Sequence, residues 1–396
     1  MLKLLKKLVE IDSCSGNAKG VNAVQSILAQ ELTEMGFKCR SIPNPKLNDS
    51  SGDLLVGESP GEESGYVDFL SHADTVSCAN PRTALPTMEF SPDLSLAYGP
   101  GIIDDKGGQV VCLEGLRRFL SYGCTPKHSL RFISSPSEER GSPGFQELFQ
   151  KYSQDSKLVL GFEPALEDGS IVHSRRGNRW YHVRVKGKES HSGRAFFEGR
   201  SANHFLIERL NNIQKLTSKD EEVSLNVGAI LGGTQFNVVC AYAESKIDAR
   251  FSSLQSRAQV HEKIDQEFST MVQGIQSEYE IVDDCPPFEL NDYSRSYLSS
   301  YLDTLRRIEG RRVEATFSGG SSDCCYFGRE NLPILDGLGP LGGGMHTASE
   351  YLLVSSLVTR AEAFEVFLNQ NFKGKDLSFP LSTHTQGSQH WLAPEI

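Results

Sequence analysis

The stretch "RWYHVRVKG", residues 179–187, decides how the chain is divided. Its bulky apolar side chains alternate with polar ones, the period of a strand that turns one face to a core and the other to water. The apolar runs before it have a different character. "YVDFL" (66–70), "LRFI" (130–133) and "KLVL" (157–160) are short and nearly continuous, as suits strands covered on both faces, and helical periods run between them. Val21, Val24, Leu28, Leu32 and Met35 share one helical face that closes at Gly36. After 187 the pattern predicts a helix over 200–216, strands at "EEVSLNVGAI" (221–230) and "QFNVVCAYAESKIDARF" (235–251), a helix over 256–275 and a strand at "SEYEIVD" (277–283). Counting "RWYHVRVKG" first, the order is βαββαβ, that of a small ferredoxin-like sandwich. Beyond "DDCPP" (283–287) the earlier alternation returns, with a helix near 292–308, strands at "VEATFS" (313–318) and "LPILDGL" (332–338), and a helix over 354–370. The expected fold class is α/β. Residues 1–174 and 287–396 form one discontinuous α/β domain, and 175–286 form a ferredoxin-like βαββαβ domain inserted into it. The tail at 374–396, rich in small polar residues, is expected to cap a surface or to be disordered.

Composition narrows the function classes. The chain has 396 residues, 51 acidic against 40 basic, and a formal charge of -11. No basic block offers a path for a phosphate backbone, which argues against nucleic acid as a partner. "MLKLLKKLVEIDS" reads as an amphipathic helix rather than a signal peptide, and no run approaches a membrane span. Nine scattered cysteines form neither CxxC pairs nor a disulfide framework, so they read as mostly buried and reduced and the chain as cytoplasmic. "NDS" at Asn48 matches a short glycosylation sequon.

The uncommon polar residues fall at predicted strand ends. "YVDFLSHADTV" puts His72 and Asp74 just past one strand, and "GPGIIDDKGG" puts Asp104 on a glycine-rich turn before a helix. "ISSPSEERGS" carries the adjacent Glu138 and Glu139, "KLVLGFEP" carries Glu163, and His346 follows "LPILDGL". Ligands of open α/β sheets bind beyond the carboxyl ends of strands, so these groups can converge on one cavity. Each motif alone has an ordinary reading as a surface turn, a solvated charged face or a backbone device. Together they combine imidazoles with carboxylates, which suits zinc or a related divalent ion, and so many anions in one cleft repel one another without a cation. Two divalent ions bring four positive charges against three carboxylates, which leaves about one for a hydroxide.

These motifs also carry a resemblance. "SHADTV", "GPGIIDDKGG", "SEERGS", "FEP", "SHSG", "GGTQFNVV", "DAR", "SGGSSD" and "GGGMHTASEY" occur here in the order of the M20 family of zinc metallopeptidases, and the chain is most similar to its glutamate carboxypeptidase branch. The resemblance runs from the N-terminal helix to about residue 372. It implies two Zn²⁺ per subunit, Co²⁺ or Mn²⁺ being possible substitutes, with Asp104 bridging them, His72 and Glu163 completing one and Glu139 and His346 the other. Glu138 would be the general base, passing a proton from the bridging hydroxide's parent water to the leaving amine. Asp74 would accept the free N–H of His72 and fix its tautomer. His191 of "SHSG" would reach into a partner subunit's site and help hold the oxyanion, implying a homodimer joined through the inserted domains. Asn237 and Arg250 would hold the substrate's carboxylate and neighbouring polar atoms, and Gly320 would let the backbone approach substrate. Ser137, Cys240 and Ser321 depart from the family's usual residues, which puts substrate preference in question but removes no ligand. The implied activity is hydrolysis of an amide beside a free carboxylate in a small peptide or N-acyl amino acid. The alternatives are an N-acyl-amino-acid deacylase such as acetylornithine deacetylase, or a non-catalytic metal-binding protein.

Overall fold

The computed structural model describes residues 1–46, 50–76, 86–220, 222–269 and 272–376. Its larger sheet has six strands: β1 (Lys38–Ile42), β2 (Leu54–Ser59), β3 (Glu63–His72), β4 (His128–Ser135), β5 (Ser156–Gly161) and, far along the chain, β10 (Ile334–Leu335). Their order is β1-β2-β4-β3-β5-β10, with β4, β3, β5 and β10 parallel and the β1, β2 edge antiparallel. The central strands are apolar on both faces because they serve two cores. Phe69, Phe132 and Leu160 pack on one side with α1 (Lys106–Ser121) and α2 (Val354–Phe372), while Leu70, Ile133 and Val159 pack on the other with Phe145, Phe149 and Phe327. The first core closes around Phe364, whose ring meets Phe69 and Phe162 edge-on with centroids 5.6 and 4.9 Å away. Asp68, the charge inside "YVDFL", is fully buried and paired with Arg131 of the neighbouring strand.

Between these segments lies the smaller sheet, built from β6 (Gly177–Lys186), β7 (Ser224–Gly232), β8 (Tyr242–Phe251) and β9 (Gln276–Cys285), antiparallel throughout in the order β7-β8-β6-β9. Helices Ala202–Gln214 and Leu254–Phe268 cover one face and complete the βαββαβ order. Tyr181, Val183 and Val185 point into a core of its own with Leu206, Ile247 and Ile264, and the alternate residues Trp180, His182 and Arg184 face away. The alternation in "RWYHVRVKG" has this cause. The fold is a discontinuous α/β layer with an inserted ferredoxin-like sandwich.

Several boundaries differ from the sequence reading. The strand predicted from 235 begins at Tyr242, because the backbone of 235–241 pairs with the loop at 190–192 instead (Val239 N to Ser190 O, 2.8 Å; Ser192 N to Asn237 O, 2.9 Å). The helix predicted to 275 ends at Phe268. Only Ile334 and Leu335 of "LPILDGL" join the sheet, since Asp336 exchanges backbone bonds with Val172 (2.7 and 2.9 Å). Of the thiols, expected to be mostly reduced, seven are free among the described residues, and Cys14 is the exception, being disulfide-bonded. Asn48 and the tail beyond 376 lie outside the described residues. Among the described residues no helix is long and apolar enough to cross a membrane.

Candidate metal centre

Strands β3, β4 and β5 end side by side, and each delivers a chemical group within a few residues of its end. β3 finishes on His72, β4 leads into a 3₁₀ turn at Glu138–Arg140, and β5 precedes Glu163 by two residues. Asp104 comes from the turn ahead of α1, whose Asp104–Asp105 peptide bond is cis, and His346 from the loop before the short strand Tyr351–Leu353. Gly108 lets α1 lie against this edge, since a Cβ there would stand 2.0 Å from both Asp105 Oδ1 and Phe162 O.

The carboxylate of Asp104 is shared between two groups. Its Oδ1 is 3.0 Å from His72 Nε2, which is also 3.8 Å from Glu163 Oε1. Its Oδ2 is 3.2 Å from His346 Nε2, which is 3.2 Å from Glu139 Oε2. Within each trio the candidate ligand atoms lie within 4.8 Å of one another. Among the described residues the buried Glu139 Oε1 finds no hydrogen-bond partner. Carboxylates crowded together with a lone pair left unanswered call for a cation, and a mixed imidazole and carboxylate set suits a divalent one. The residues fit two such ions sharing Asp104.

The titration behaviour of the metal-free cluster reflects the crowding. Burial pushes Glu139 up to about 7 and Glu163 up to about 8, with Asp104 raising both further and His72 opposing. Burial also drives Glu138 well above the usual carboxylate range, with Glu163 adding to it. Burial pulls His72 down, but its bonds to Asp104 and Asp74 raise it well above an ordinary imidazole. His346 is drawn up to about 9, chiefly by Asp104. Burial raises Asp104, yet His346 and His72 outweigh it and hold the group below its usual range.

The other predicted residues divide into two sets. Glu138 lies beside the cluster, and its carboxylate accepts no hydrogen bond from the described residues, while its backbone N–H donates to Asp74 Oδ1 (2.9 Å). Asp74 differs in detail from the expectation. His72 Nδ1 donates to the main-chain carbonyl of Asp74 at 2.9 Å, the carboxylate standing at 3.4 Å, and that carboxylate instead accepts from Ser15 Oγ (2.6 Å) and from Glu138. The tautomer it selects is the expected one, with Nε2 facing Asp104. Arg250 and Gly320 line the same cleft of about 510 Å³, together with Trp180 and Met345. Arg250 Nε donates to Asp248 (2.9 Å), and the side chain is part of the cleft wall. His191 and Asn237 are not brought to it. They sit on the exposed, mutually paired loops of the smaller sheet.

Sequence reading missed three supports. Asp105 Oδ2 accepts the backbone N–H of His72 (3.2 Å). Arg175 joins Asp336 (2.7 Å) to Gly320 O (3.2 Å), fixing the glycine loop. Glu350 accepts three backbone N–H groups of the Asp104 turn. Only Asp105 had a signal, the doubled aspartate in "IIDDKGG".

Comparison with known proteins fits this geometry. The model of peptidase family M20/M25/M40 matches residues 69–370. The chain belongs to that family. Carboxypeptidase G2 of Pseudomonas sp. (strain RS-16) is 26% identical to this M20 chain over 91% of it and 86% of the relative. Succinyl-diaminopimelate desuccinylase of Vesicomyosocius okutanii is 23% identical over 90% of the M20 chain and 95% of the relative. The crystal structure of aminopeptidase PepT from Bacillus cereus superposes with a TM-score of 0.72 over 93% of this chain and 97% of that one, at 21% identity, and so shares the fold. The chain is an M20-type metallopeptidase or amidohydrolase.

Proposed function

We propose that this chain is a dinuclear zinc hydrolase that cleaves an amide beside a free carboxylate and releases a C-terminal amino acid, as in a glutamate carboxypeptidase. The observation that carries the reading is the division of Asp104 between two ligand trios with Glu138 left unbonded beside them. His72, Asp104 and Glu163 would hold one ion, Asp104, Glu139 and His346 the other. Bound there, such ions lower the pKa of water and polarise a carbonyl. Glu138 takes a proton from the attacking water and returns it to the departing amine, a task for a carboxylate that lies beside the ligands without being one of them. Asp74 holds the backbone of Glu138 and the carbonyl that orients His72. Arg250 receives the substrate carboxylate on its planar fork, and Gly320 lends the close backbone wall. A free Glu138 also weighs against a purely metal-binding protein, which has no use for a spare proton carrier.

We further infer a division into 1–174 with 287–396 and an inserted lid at 175–286 through which two copies pair. The loops bearing His191 and Asn237 also carry Phe197, 91% exposed, and the fully exposed Phe236. A second copy covering these rings would explain them and would bring the partner subunit's His191 and the partner subunit's Asn237 to a cleft that lacks its own. Similarity to a desuccinylase supports a second reading, an N-acyl-amino-acid deacylase. Rates on acyl- and peptidyl-glutamates against N-acetylornithine and N-succinylated diamino acids decide between them. Preference for the acylated basic amino acids overturns the carboxypeptidase reading.

A further inference from the structure

The turn that presents Asp104, Gly99 to Asp104, lies outside any helix or strand, yet it must hold one carboxylate aimed at two trios. Glu350 supplies the anchor. Its Oε2 accepts the N–H of Gly101 (2.8 Å), and its Oε1 accepts those of Ile103 (3.0 Å) and Asp104 (3.2 Å). The Gly99 N–H donates to its main-chain oxygen at 3.4 Å, and the side chain is buried, 4% exposed. Successive amides converging on one anion form a concave nest filled from another part of the chain.

That other part is the His346 loop. Glu350 follows His346 by four residues in a tight turn (Thr347 N to Gly344 O, 3.1 Å; Glu350 N to Thr347 O, 3.4 Å), and the next residue pairs with Tyr98 ahead of the Asp104 turn. His72 is held separately, by Asp105 and by Gln109. One carboxylate therefore ties the loop carrying His346 to the loop carrying Asp104, and does not touch the supports of His72.

We infer that Glu350 is a positioning residue that sets the spacing of Asp104 and His346, and through it the affinity of the ion position they share with Glu139. The inference rests on the two-ion reading above. Glutamine has one accepting oxygen, and its amide would face a backbone N–H, so Glu350→Gln loosens the clamp while keeping its volume.

The test is a Zn²⁺ titration of metal-free protein against a chromophoric chelator, comparing wild type, Glu350→Gln and His346→Ala, with melting of the metal-free forms alongside. Supporting partners around ligands are worth 10–100-fold in metal affinity. The expected result is a loss of about that size for the ion that His346→Ala also weakens, a clearly smaller loss for the other ion, which shares Asp104 but not His346, and a metal-free melting temperature nearly kept. Two affinities both unchanged, or both lowered to the same extent whatever the metal-free stability, would show no selective effect on the His346 position and overturn the inference. Wild type binding fewer than two ions overturns the two-ion reading itself, and this one with it. If the amide variant fails to fold, Glu350→Asp, too short to meet all three amides, is read by the same criteria.

Discussion

Stripping the divalent ions should make stability fall as pH rises, and restoring them should expel protons. In the metal-free fold Glu139 titrates at about 7, Glu163 at about 8 and His346 at about 9, with His72 also well above its ordinary value. All four shifts have one sign. Near pH 7 the folded chain keeps protons that the unfolded chain, with glutamate near 4.3 and histidine near 6.5, has mostly released. Their stabilisation is complete below the unfolded values and is lost as pH climbs through the folded ones, a window from about 4.5 to 9. Asp104 is lowered and acts only in acid. At pH 7 Glu139 and Glu163 together hold more than one proton that the unfolded chain has released, and His72, His346 and Glu138 add in the same direction. At about 1.4 kcal/mol per proton and pH unit, the two buried glutamates give a slope near neutrality of the order of 2 kcal/mol per pH unit, and the half-exposed His346 adds less than its shift because water screens it.

Cations displace those protons, because only the carboxylate and the neutral imidazole are ligands. Calorimetric Zn²⁺ titrations at pH 7 in buffers of different ionisation enthalpy give the number released, and scanning calorimetry of the metal-free chain from pH 6.5 to 8.5 gives the slope. A release of more than one proton and a falling melting temperature are expected. Release below one proton, or a metal-free melting temperature that stays level or climbs across that range, refutes the electrostatic account of the cluster.

Glu138→Gln should lower turnover by about 10²–10⁴-fold while the protein keeps its metal content by atomic absorption, the mark of a lost proton carrier rather than a lost ligand. Arg250→Ala should raise KM about 10–100-fold for substrates with a free carboxylate, the worth of a charged hydrogen bond, and should change little with the carboxamide analogue. Gly108→Ala puts a Cβ 2.0 Å from Asp105 Oδ1 and Phe162 O; a cost of about 1–3 kcal/mol should appear as a melting temperature several degrees lower. Mixing inactive His191→Ala with inactive Glu138→Ala should restore roughly a quarter of wild-type activity, because half of the random dimers hold one complete site. No recovery on mixing removes the partner subunit's histidine from the reaction.

The legible parts of this chain are those governed by periodicity. Phe69 and Leu70 feed opposite cores from one strand, so "YVDFL" announces a doubly covered sheet, and Trp180 and Tyr181 do the reverse for the half-covered one. Strand ends locate His72 and Glu163 because a parallel sheet gathers its carboxyl ends. Loops resist the same reading. Residues 235–241 have strand composition, yet their partner is another loop, a pairing that no local pattern encodes. Glu350 and Arg175 act on backbone groups far along the chain, and a lone charged residue in a polar segment looks the same whether it meets water or a nest of amides.

The adjacent Glu138 and Glu139 show how local geometry divides labour. In a strand, neighbouring side chains leave on opposite faces, which would bury one of the two glutamates away from the cluster. In the 3₁₀ turn found here, three residues complete a turn and neighbours diverge by about 120°. That angle sends Glu139 toward His346 and leaves Glu138 facing the cleft. The turn is held at both ends, by Asp74 on the N–H of Glu138 and by left-handed Gly141, whose N–H returns to Glu138 O at 2.7 Å. Ligand and proton carrier are therefore fixed relative to each other by one short piece of backbone, and the residue that orients His72 also fixes that piece.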